Sequence, residues 1–514
     1  MFHRDGFKKS LWQNHSEIFE PAPVKKILQH YDVIIAGGGI TGINLGLQLQ
    51  KSGKQVLILE AKNLCFGTTG GTTAHINTLL DTPYNVIRKN FGDKNAVTVA
   101  QAAKDAVDLI RKNISEYKID CEFSEAKAYL YARDRQQEEE LNSIADSSRM
   151  AGLSVNIAKK IPVPFEFIKA IEVPGQAKFN PVKYVYALAG AFEQAGGSIL
   201  DQHRVTDIKE VEKGVRVTAA GKEFNARHFI YATHIPSGVN LLHLRCIPYR
   251  SYAMAVSLED DSYPDDLSYD MEDPYHYYRT QVIDGVPFLI AGGKDHKTGE
   301  EVDTTHYANS LKFHVEKNFK VKEIKTSWSS QYYESVDGLP YIGRVPGYNF
   351  IYAATGYGGN GMTFSHVSTL VLEKLLDETI IYDNLFTPER IKPVAGFSQF
   401  VQHNANAVKE LLKKLVPFPQ MDQLSELAHD DARLVKYEGE SLGIFKSSNG
   451  KIYAIHPQCT HMKCEVKWNG EEKSWDCPCH GARFDPMGKV LNAPASADLE
   501  SVDISELNEE KRKD

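Results

Sequence analysis

Four side chains near the end of the chain constrain its fold more than any other feature. Cysteine and histidine recur in two short motifs, Cys459-Thr460-His461 and Cys477-Pro478-Cys479-His480, separated by fifteen residues. Each motif fits a tight loop that supplies one thiolate and one imidazole, and clustered cysteines with interspersed histidines typically bind metal. The sequence therefore predicts two loops joined at a metal centre, with Cys459, His461, Cys477 and His480 as its ligands.

The spacing of these ligands also bears on the kind of metal centre. A mononuclear zinc site usually pairs cysteine with cysteine and histidine with histidine, whereas here each motif mixes the two residue types. Two cysteines on one iron and two histidines on the other make the Rieske type of 2Fe-2S cluster, with a reduction potential of about −150 to +300 mV. We expect a Rieske cluster, and hence electron transfer, with zinc as the competing interpretation.

The size and composition of the chain limit what else it can be. Its 514 residues are enough for two or three domains, and 42% of them are apolar. The net charge of −8 argues against nucleic acid as a partner. No apolar run approaches the ~18 residues of a membrane helix, and residues 1–24 lack the apolar segment of a secretory signal. We expect a cytoplasmic protein without a transmembrane segment.

A second motif lies near the start of the chain. A β-prone run, residues 31–36, stops at Gly37-Gly38-Gly39-Ile40-Thr41-Gly42, and a helical pattern and a second apolar strand at 55–59 follow. In such a βαβ unit the glycines allow a tight turn, close approach of a pyrophosphate and close helix packing. Glu60 ends the second strand and is placed to accept hydrogen bonds from a ribose. These features predict a dinucleotide site.

The βαβ unit alone fits either NAD or FAD, and two later segments favour FAD. Residues 227–233 form a predicted strand that ends in a turn of small residues. Residues 350–354 form another, followed by a second glycine run, Gly356 to Thr363, that opens a helix. The N-terminus of that helix could face a flavin carbonyl or ribityl chain, because its free N–H groups favour electron-rich atoms.

On these residues, and on the loop Gly67 to Thr73, the first ~380 residues resemble FAD-dependent oxidoreductases of the D-amino-acid oxidase, glycine oxidase and sarcosine oxidase type. The resemblance implies a Rossmann-like α/β FAD-binding domain of the glutathione-reductase type with an interleaved α+β substrate domain. It implies that FAD oxidises a small amine or amino acid. The FAD-binding residues it implies are Gly37, Gly39, Ile40, Thr41, Gly42, Glu60, Ala61, Thr68, Thr69, Thr73, Val205, Thr233, Gly356, Gly358, Gly359, Gly361, Met362 and Thr363.

The last part of the chain resembles the small all-β Rieske domain, through residues 475–481 and 488–494. Likeness to respiratory Rieske proteins implies a disulfide between Cys464 and Cys479. Where those proteins carry serine and tyrosine, this chain carries Ala482 and Phe484, so two hydroxyl donors are missing. Hydrogen bonds to cluster sulfurs raise the potential, and we therefore expect a potential well below that of a respiratory cluster.

The two resemblances divide the chain. We expect an N-terminal arm at 1–30 and an oxidoreductase domain at 31–380. Its FAD-binding parts are 31–80, 175–240 and 330–380, and its substrate parts are 81–174 and 241–329. A connector at 381–430 contains a helix near 400–415, the Rieske domain spans 431–505, and a charged tail covers 506–514.

The sequence says less about substrate. Six polar or charged side chains lie in the presumed substrate domain, where an arginine could clamp a carboxylate, although a core or surface position is expected for each: Arg250, Tyr252, His276, Tyr278, Arg279 and Lys294. No catalytic residue is predicted. His75 follows a Gly-Thr-Thr run after which some amine-oxidising relatives attach flavin covalently, but non-covalent FAD is expected.

Three functional classes remain open from the sequence. The leading one is an FAD enzyme that oxidises a small amine or amino acid, passes electrons to the cluster and uses an external electron acceptor or donor. The second is an electron-transfer module that serves a partner, and the third is a redox sensor without turnover. The sequence allows electrons to flow in either direction.

Overall fold

The computed structural model describes residues 4–24, 26–238, 240–301, 303–390, 427–437 and 440–502. Its helices are α1 (Leu11–Asn14), α2 (Ile40–Lys51), α3 (Thr68–Gly71), α4 (Tyr84–Phe91), α5 (Asp93–Tyr117), α6 (Arg135–Met150), α7 (Pro181–Gln194), α8 (Thr304–Asn318) and α9 (Gly361–Leu376). Its strands are β1 (Tyr31–Ala36), β2 (Val56–Leu59), β3 (His75–Ile76), β4 (Ser124–Ala132), β5 (Asn156–Ala158), β6 (Lys169–Lys178), β7 (Ser198–Leu200), β8 (Val205–Val211), β9 (Gly214–Ala219), β10 (Lys222–Tyr231), β11 (Cys246–Leu258), β12 (Leu267–Asp270), β13 (His276–Ile283), β14 (Val286–Lys297), β15 (Val321–Ser335), β16 (Tyr341–Arg344), β17 (Ile351–Thr355), β18 (Asp431–Tyr437), β19 (Glu440–Lys446), β20 (Ile452–Ile455), β21 (Lys467–Asn469), β22 (Ser474–Asp476), β23 (Arg483–Phe484), β24 (Val490–Asn492) and β25 (Ser501–Val502). The helix expected near 400–415 and the tail at 506–514 lie outside the described residues.

The first sheet is mostly parallel and runs in the order β16-β17-β10-β1-β2-β7, with the hairpin β8-β9 attached to β10. β1 pairs in parallel with both β2 and β10. Its apolar side chains are buried on both faces, as in a central strand covered on each side. Helices α2, α5, α7 and α9 pack together against this sheet. The predicted βαβ unit is confirmed as β1, the glycine turn, α2 and β2.

The strands of the second sheet lie in the chain between β2 and β7 and between β10 and β16 of the first sheet. Its order is β15-β11-β14-β13-β12-β4-β6-β3, with β5 added to β6. Helix α8 packs against β11 and β14. Strands β11 and β15 are long neighbours that reach from this sheet to the C-terminal part of the chain.

The C-terminal residues form two small antiparallel sheets, β18-β19-β20-β25 and β21-β22-β23-β24. Trp475 and Phe484, which pair across β22 and β23, are fully buried between them. This part confirms the expected all-β Rieske fold. Its two cluster motifs lie in the loops after β20 and after β22.

The N-terminal segment packs across both parts of the molecule. It is irregular apart from the single turn α1, whose Ser10 caps the helix with its side chain. Trp12 is buried and donates its indole N–H to the Thr72 carbonyl at 2.6 Å. The Asp5 carbonyl accepts a hydrogen bond from Arg483 at 2.7 Å. Among the described residues, no helix combines the length and apolarity needed to cross a bilayer.

Candidate functional site

A large cavity lies at the carboxyl ends of the parallel strands β1, β2, β10 and β17. Open α/β sheets bind their ligands at this edge, where the loops that follow the strands diverge. Fifteen of the eighteen residues predicted to bind FAD line the cavity: Gly37, Gly39, Ile40, Thr41, Glu60, Ala61, Thr68, Thr69, Thr73, Val205, Thr233, Gly358, Gly359, Gly361 and Met362.

The other three predicted residues lie behind the cavity wall. A Cβ added to Gly42 would approach the Gly37 carbonyl oxygen to 2.0 Å, so glycine keeps α2 close to the turn. Gly356 has a φ of +76° and follows β17 directly. Thr363 donates its hydroxyl to the Asn77 carbonyl at 2.7 Å. These residues support the wall and do not form its surface.

The glycine turn between β1 and α2 is shaped for a close ligand. Gly37 has a φ of +112°, and a Cβ at this position would meet the Ala232 carbonyl oxygen at 2.4 Å. Gly39 begins α2, and the Ile40 N–H donates to the Thr69 hydroxyl at 3.1 Å. The turn therefore brings backbone against the cavity at a helix N-terminus, where anions bind favourably.

Glu60 follows β2 with its carboxylate held by backbone. The Gly38 N–H donates to Oε2 at 2.6 Å, and the Lys62 N–H donates to Oε1 at 2.8 Å. Burial raises the pKa of this carboxyl, while these hydrogen bonds and the charge of Arg204 oppose the rise. The carboxylate is thus fixed at the cavity edge in the position predicted for ribose recognition.

The opposite half of the cavity is walled by the second sheet and by the loop before α4. This half, which we call the tyrosine half, contains four tyrosines, two aspartates and one histidine: Tyr269, Tyr275, Tyr277, Tyr332, Asp81, Asp295 and His75. Sequence patterns do not reveal it, because its residues come from five separate segments of the chain.

None of the six polar or charged candidates of the presumed substrate domain lines the described cavity. Arg279 is fully buried behind the wall and donates to the Ala74 carbonyl at 2.7 Å. Arg250 is fully buried 3.8 Å from Glu472, at the contact with the C-terminal sheets. The expectation of core positions is met for both arginines, and neither can clamp a substrate carboxylate in this cavity.

His75 does line the cavity and lies against two tyrosine rings. Its Nδ1 is 2.6 Å from the Tyr269 hydroxyl, and its ring meets that of Tyr277 edge to face at 5.5 Å. Burial lowers the pKa of the imidazole well below its usual value, with the charges of Arg279 and Lys178 acting in the same direction. The side chain is therefore neutral at physiological pH, and non-covalent FAD stays a prediction.

The cluster loops bring the four predicted ligands together. Cys459 and Cys477 are buried thiols in direct side-chain contact. The contact lowers the pKa of Cys459 and raises the pKa of Cys477. The rings of His461 and His480 lie 5.0 Å apart. Both ring nitrogens of His461 are buried without a hydrogen bond of normal geometry, and the Gly238 backbone lies beside the ring. Two thiols in contact with each other and two imidazole rings in contact with each other fit the ligand pairs of a Rieske cluster.

The remaining two cysteines of this region form a disulfide, Cys464–Cys479. The sulfurs of both lie within 4.8 Å of the Cys477 sulfur. Three cysteines alone could suggest a different metal site, but sulfurs joined in a disulfide are not available as thiolate ligands. The disulfide predicted from the resemblance is present, and it joins the two cluster loops.

The C-terminal sheets dock directly on the oxidoreductase part. Gly481, with a φ of +72°, leaves no room for a Cβ, which would lie 2.6 Å from Pro248. Gln331 donates its amide to the Gly481 carbonyl at 2.9 Å. Tyr333 donates its hydroxyl to the carbonyl of the ligand His480 at 3.1 Å. The second cluster loop therefore rests on the end of β15.

Tyr333 also contacts the cavity wall. Its carbonyl accepts a hydrogen bond from the Gly358 N–H at 2.9 Å, and its ring meets that of His234 at 4.7 Å. Both Gly358 and His234 line the cavity. A single buried residue thus joins the cavity to the backbone of a cluster ligand.

The imidazole side of the cluster site is also covered by the oxidoreductase part. The ring of His243 lies 4.6 Å from that of His461 and 5.9 Å from that of His480. Nearby, the Gly238 N–H donates to the Pro494 carbonyl at 3.2 Å. The ligand histidines therefore face this part of the same chain.

The C-terminal part completes the cavity itself. Arg204 donates to the Val490 carbonyl at 3.1 Å, on the side of the cavity that holds Glu60. Strand β24 and the residues that follow it supply five residues to the lining: Leu491, Asn492, Ala493, Ala495 and Ser496. The sequence assigns residues 488–494, which we call the proline loop, to the cluster domain alone and does not indicate this second role.

A buried group of charges holds the docked parts together. Glu472 lies 3.8 Å from both Arg250 and Arg483. Arg483 contacts Asp476 at 3.1 Å and Asp5 at 3.8 Å. All five side chains are almost completely buried. They come from the arm, β11 and the C-terminal sheets, so no local sequence pattern could reveal their pairing.

The surroundings of the cluster lead to a prediction about its potential. Ala482 and Phe484 are fully buried beside the second loop and offer no hydroxyl. We expect Ala482→Ser to raise the potential by roughly 60–130 mV, because a hydrogen bond to a charged group contributes about 1.5–3 kcal/mol and ~59 mV is one tenfold step for one electron. A redox titration of the full chain, followed by electron paramagnetic resonance, measures this.

The control is Ala432→Ser, a buried alanine of β18 outside the cluster loops, which should leave the potential unchanged. The hypothesis fails if the unsubstituted protein already shows a potential near the upper Rieske limit of about +300 mV at neutral pH.

Two family models match the chain. The model described as FAD dependent oxidoreductase matches residues 32–373, and the model described as Rieske 2Fe-2S domain matches residues 418–503. The Rieske 2Fe-2S iron-sulfur protein YhfW of Bacillus subtilis (strain 168) is 32% identical over 478 residues, which cover 92% of this chain and 93% of that protein. Gamma-glutamylputrescine oxidoreductase of Escherichia coli (strain K12) is 23% identical over 359 residues, covering 67% of this chain and 83% of that protein.

Solved structures resemble the oxidoreductase part. Glycine oxidase from Geobacillus kaustophilus aligns with a TM-score of 0.59 at 19% identity, over 71% of this chain and all of that chain. L-proline dehydrogenase from P. horikoshii aligns with a TM-score of 0.56 at 16% identity, over 68% of this chain and 94% of that chain. At these identities the likeness establishes the fold. The family models identify the cofactors as FAD and a Rieske 2Fe-2S cluster.

Proposed function

Since the chain belongs to the FAD dependent oxidoreductase family and ends in a Rieske 2Fe-2S domain, we propose that it oxidises a small amine or amino acid and passes the electrons to its own cluster. FAD supplies the two-electron oxidation of a C–N bond, and a Rieske cluster carries single electrons. The observation that carries the proposal is the docking of the cluster loop on the cavity through Tyr333.

The half of the cavity that contains the glycine turn and Glu60, which we call the nucleotide half, is assigned to FAD. The glycine turn and Glu60 would hold the pyrophosphate and the ribose, and Val205 would lie against the adenine. The loop of α3 and the start of α9 would border the flavin. These assignments rest on the fifteen lining residues and on the N-termini of α2 and α9, which point their free N–H groups toward the cavity edge.

The protein environment supports transfer inside one molecule. The proline loop closes part of the cavity, and the ring of His243 lies against that of His461, so residues of both parts of the chain lie between the two sites. The buried charge group keeps this arrangement fixed. An external one-electron acceptor or donor would then exchange electrons at the cluster domain.

The names of relatives and neighbours support an amine or amino acid as the substrate class. They include gamma-glutamylputrescine oxidoreductase, glycine oxidase and L-proline dehydrogenase. Each of these names describes that protein and not this chain, but all of them share oxidation at a carbon bonded to nitrogen.

The test is an anaerobic screen of amines, amino acids and imino acids with the purified full-length protein. The visible absorbance of the flavin reports its reduction, and paramagnetic resonance reports the cluster. We expect one of these compounds to bleach the flavin and to reduce the cluster afterwards. If only a nicotinamide cofactor or a reduced ferredoxin bleaches the flavin, the protein is an electron-transfer module instead, and if nothing does, the redox-sensor interpretation gains support.

A further inference from the structure

The tyrosine half of the cavity has the chemistry of a site for organic cations. It presents two carboxylates and four aromatic rings, and no lysine or arginine among the described residues lines it. We propose that the substrate is a cationic amine without a carboxylate, held by Asp81 and Asp295 inside this ring of tyrosines. This inference rests on the proposed function and specifies the substrate class of the same site.

Asp295 has one carboxylate oxygen that is incompletely hydrogen-bonded. Its Oδ2 accepts a hydrogen bond from the Tyr332 hydroxyl at 2.7 Å. Ser251 supplies a side-chain hydrogen bond to the same carboxylate that lowers its pKa, but the buried Oδ1 makes no hydrogen bond of normal geometry. A buried acceptor without a donor is costly, and an ammonium group that enters the cavity would supply the missing donor.

Asp81 is held at the start of α9. Its Oδ2 accepts a hydrogen bond from the Gly359 N–H at 2.8 Å, and its own N–H donates to the Asn360 side chain at 2.8 Å. Tyr275 hydrogen-bonds to the same carboxylate. Both carboxylates line this half of the cavity, and the charge of Asp81 raises the pKa of the Asp295 carboxyl. A cation bound in this half is therefore attracted by both.

The aromatic residues complete this recognition. The rings of Tyr275 and Tyr277 lie 5.7 Å apart, and Tyr269 lies 5.3 Å from His75. Ammonium groups bind favourably over tyrosine faces, because the face of the ring carries negative charge density. His75 is neutral, so it adds no repulsion to a bound cation.

The position of the cationic side chains argues against a carboxylate on the substrate. The arginine that lines the described cavity is Arg204, beside Glu60 in the nucleotide half. Arg250 and Arg279 are fully buried outside the lining. Arg279 and Lys178 act on His75 from behind the wall. An amino-acid carboxylate in the tyrosine half would be repelled by Asp81 and Asp295, and no lysine or arginine among the described residues that line this half would pair with it.

The proposed reaction conserves atoms and electrons. The amine carbon gives a hydride to FAD and its nitrogen gives up a proton to water, so that the C–N single bond becomes a C=N double bond. Water can then hydrolyse the imine to a carbonyl compound, with release of ammonia from a primary amine or of an amine from a secondary one. Asp81 and Asp295 bind and orient the cation in this scheme.

The same carboxylates give the binding a pH dependence. Desolvation by the cavity walls raises the pKa of Asp81 to about 6 and that of Asp295 to about 6, although Asp81 is solvent-exposed. The titratable groups that face them are Tyr269, Tyr275, Tyr277, Tyr332, Glu334 and His276. Because both carboxyls lose their protons as the pH rises through about 6, while an alkylamine stays charged, affinity for the cation should increase between about pH 5 and pH 7.

The experiment compares three probes of equal chain length by anaerobic flavin bleaching of the holoprotein: cadaverine, pentylamine and δ-aminovalerate. We expect both carboxylate-free amines to act at concentrations at least tenfold lower than δ-aminovalerate. In Asp295→Asn the cadaverine concentration needed should rise roughly 10- to 100-fold, while that of δ-aminovalerate should stay the same or fall. Asp146→Asn, which removes an exposed aspartate of α6, is the matched control.

Asp81→Asn provides a second test if Asp295→Asn fails to retain FAD. As in Asp295→Asn, the cadaverine concentration needed should rise, while that of δ-aminovalerate should stay the same or fall. The inference is overturned if δ-aminovalerate, glycine or proline bleaches the flavin as well as the carboxylate-free amines do, although the proposed function would then stand. Bleaching by none of the five compounds overturns the inference too. The proposed function fails separately, when only a nicotinamide cofactor or a ferredoxin reduces the flavin.

Discussion

Replacing Glu472 with glutamine is expected to destabilise the docked arrangement by about 3–5 kcal/mol, because Arg250 and Arg483 would lose the charge that compensates them in a buried site. Burial alone would raise the pKa of the Glu472 carboxyl, but the charges of Arg250, Arg4 and Arg483 outweigh it and hold the pKa below its usual value. The carboxylate is therefore ionised in the folded protein, and its charge is what glutamine removes.

Hydrogen exchange and chemical unfolding of the full chain measure this effect. In Glu472→Gln, amides of the cluster loops and of the proline loop should exchange faster, and the unfolding midpoint should fall. Electron transfer from flavin to cluster should slow because the contact through Tyr333 is populated less.

The adjacent residue provides the control. Glu471 is paired with Lys8 at the rim, where the lysine is 44% exposed. An exposed ion pair contributes about 0–1 kcal/mol, so Glu471→Gln should differ little from the unsubstituted protein. Equal effects of the two substitutions would mean that the buried charges do not hold the parts together.

Cys477→Ala is expected to abolish the cluster and leave FAD in place. The substitution removes one of the two thiolates that face the ligand histidines, and a 2Fe-2S cluster requires its cysteine ligands. The cavity is lined by residues that do not include Cys477, so substrate should still bleach the flavin without oxygen. Reduction of an external one-electron acceptor should fall to background. Iron content, paramagnetic resonance and flavin absorbance measure the three effects.

The neighbouring Cys479 is the matched control, since it lies two residues away and forms the disulfide. The double variant Cys464→Ser with Cys479→Ser should assemble the cluster but lose about 3 kcal/mol of stability, as expected when a crosslink across a separation of 15 residues is removed. Loss of the cluster in the double variant at low temperature, with retention in Cys477→Ala, would reverse the assignment of ligands.

The sequence predicts the local features of this protein well. Three of these features are the turn at Gly37, the carboxylate at Glu60 and the pair of cluster motifs. Each combines a residue type with a short spacing, so its local structure follows from backbone geometry and ligand chemistry. The disulfide follows from the resemblance to respiratory Rieske proteins, because both cysteines lie in motifs that match.

Contacts between distant segments could not be predicted in this way. The sequence makes Arg250 a candidate for binding a substrate carboxylate. In the structure it pairs with Glu472, which lies more than two hundred residues away in the sequence. Asp81 and Asp295 lie far apart in the sequence and line the same cavity only in the folded chain. The proline loop resembles a feature of the cluster domain, and its place in the cavity wall depends on docking that no single motif encodes.

The most direct test of the account is the order of the reaction between the two sites. The oxidised full-length holoprotein is mixed without oxygen with the amine that bleaches its flavin, and cluster reduction is followed at several protein concentrations. Because the cluster loop of each molecule rests on its own cavity, cluster reduction should follow flavin bleaching with a rate constant that does not depend on protein concentration. A rate proportional to protein concentration, or a cluster that stays oxidised while the flavin is bleached, would contradict electron transfer within the chain.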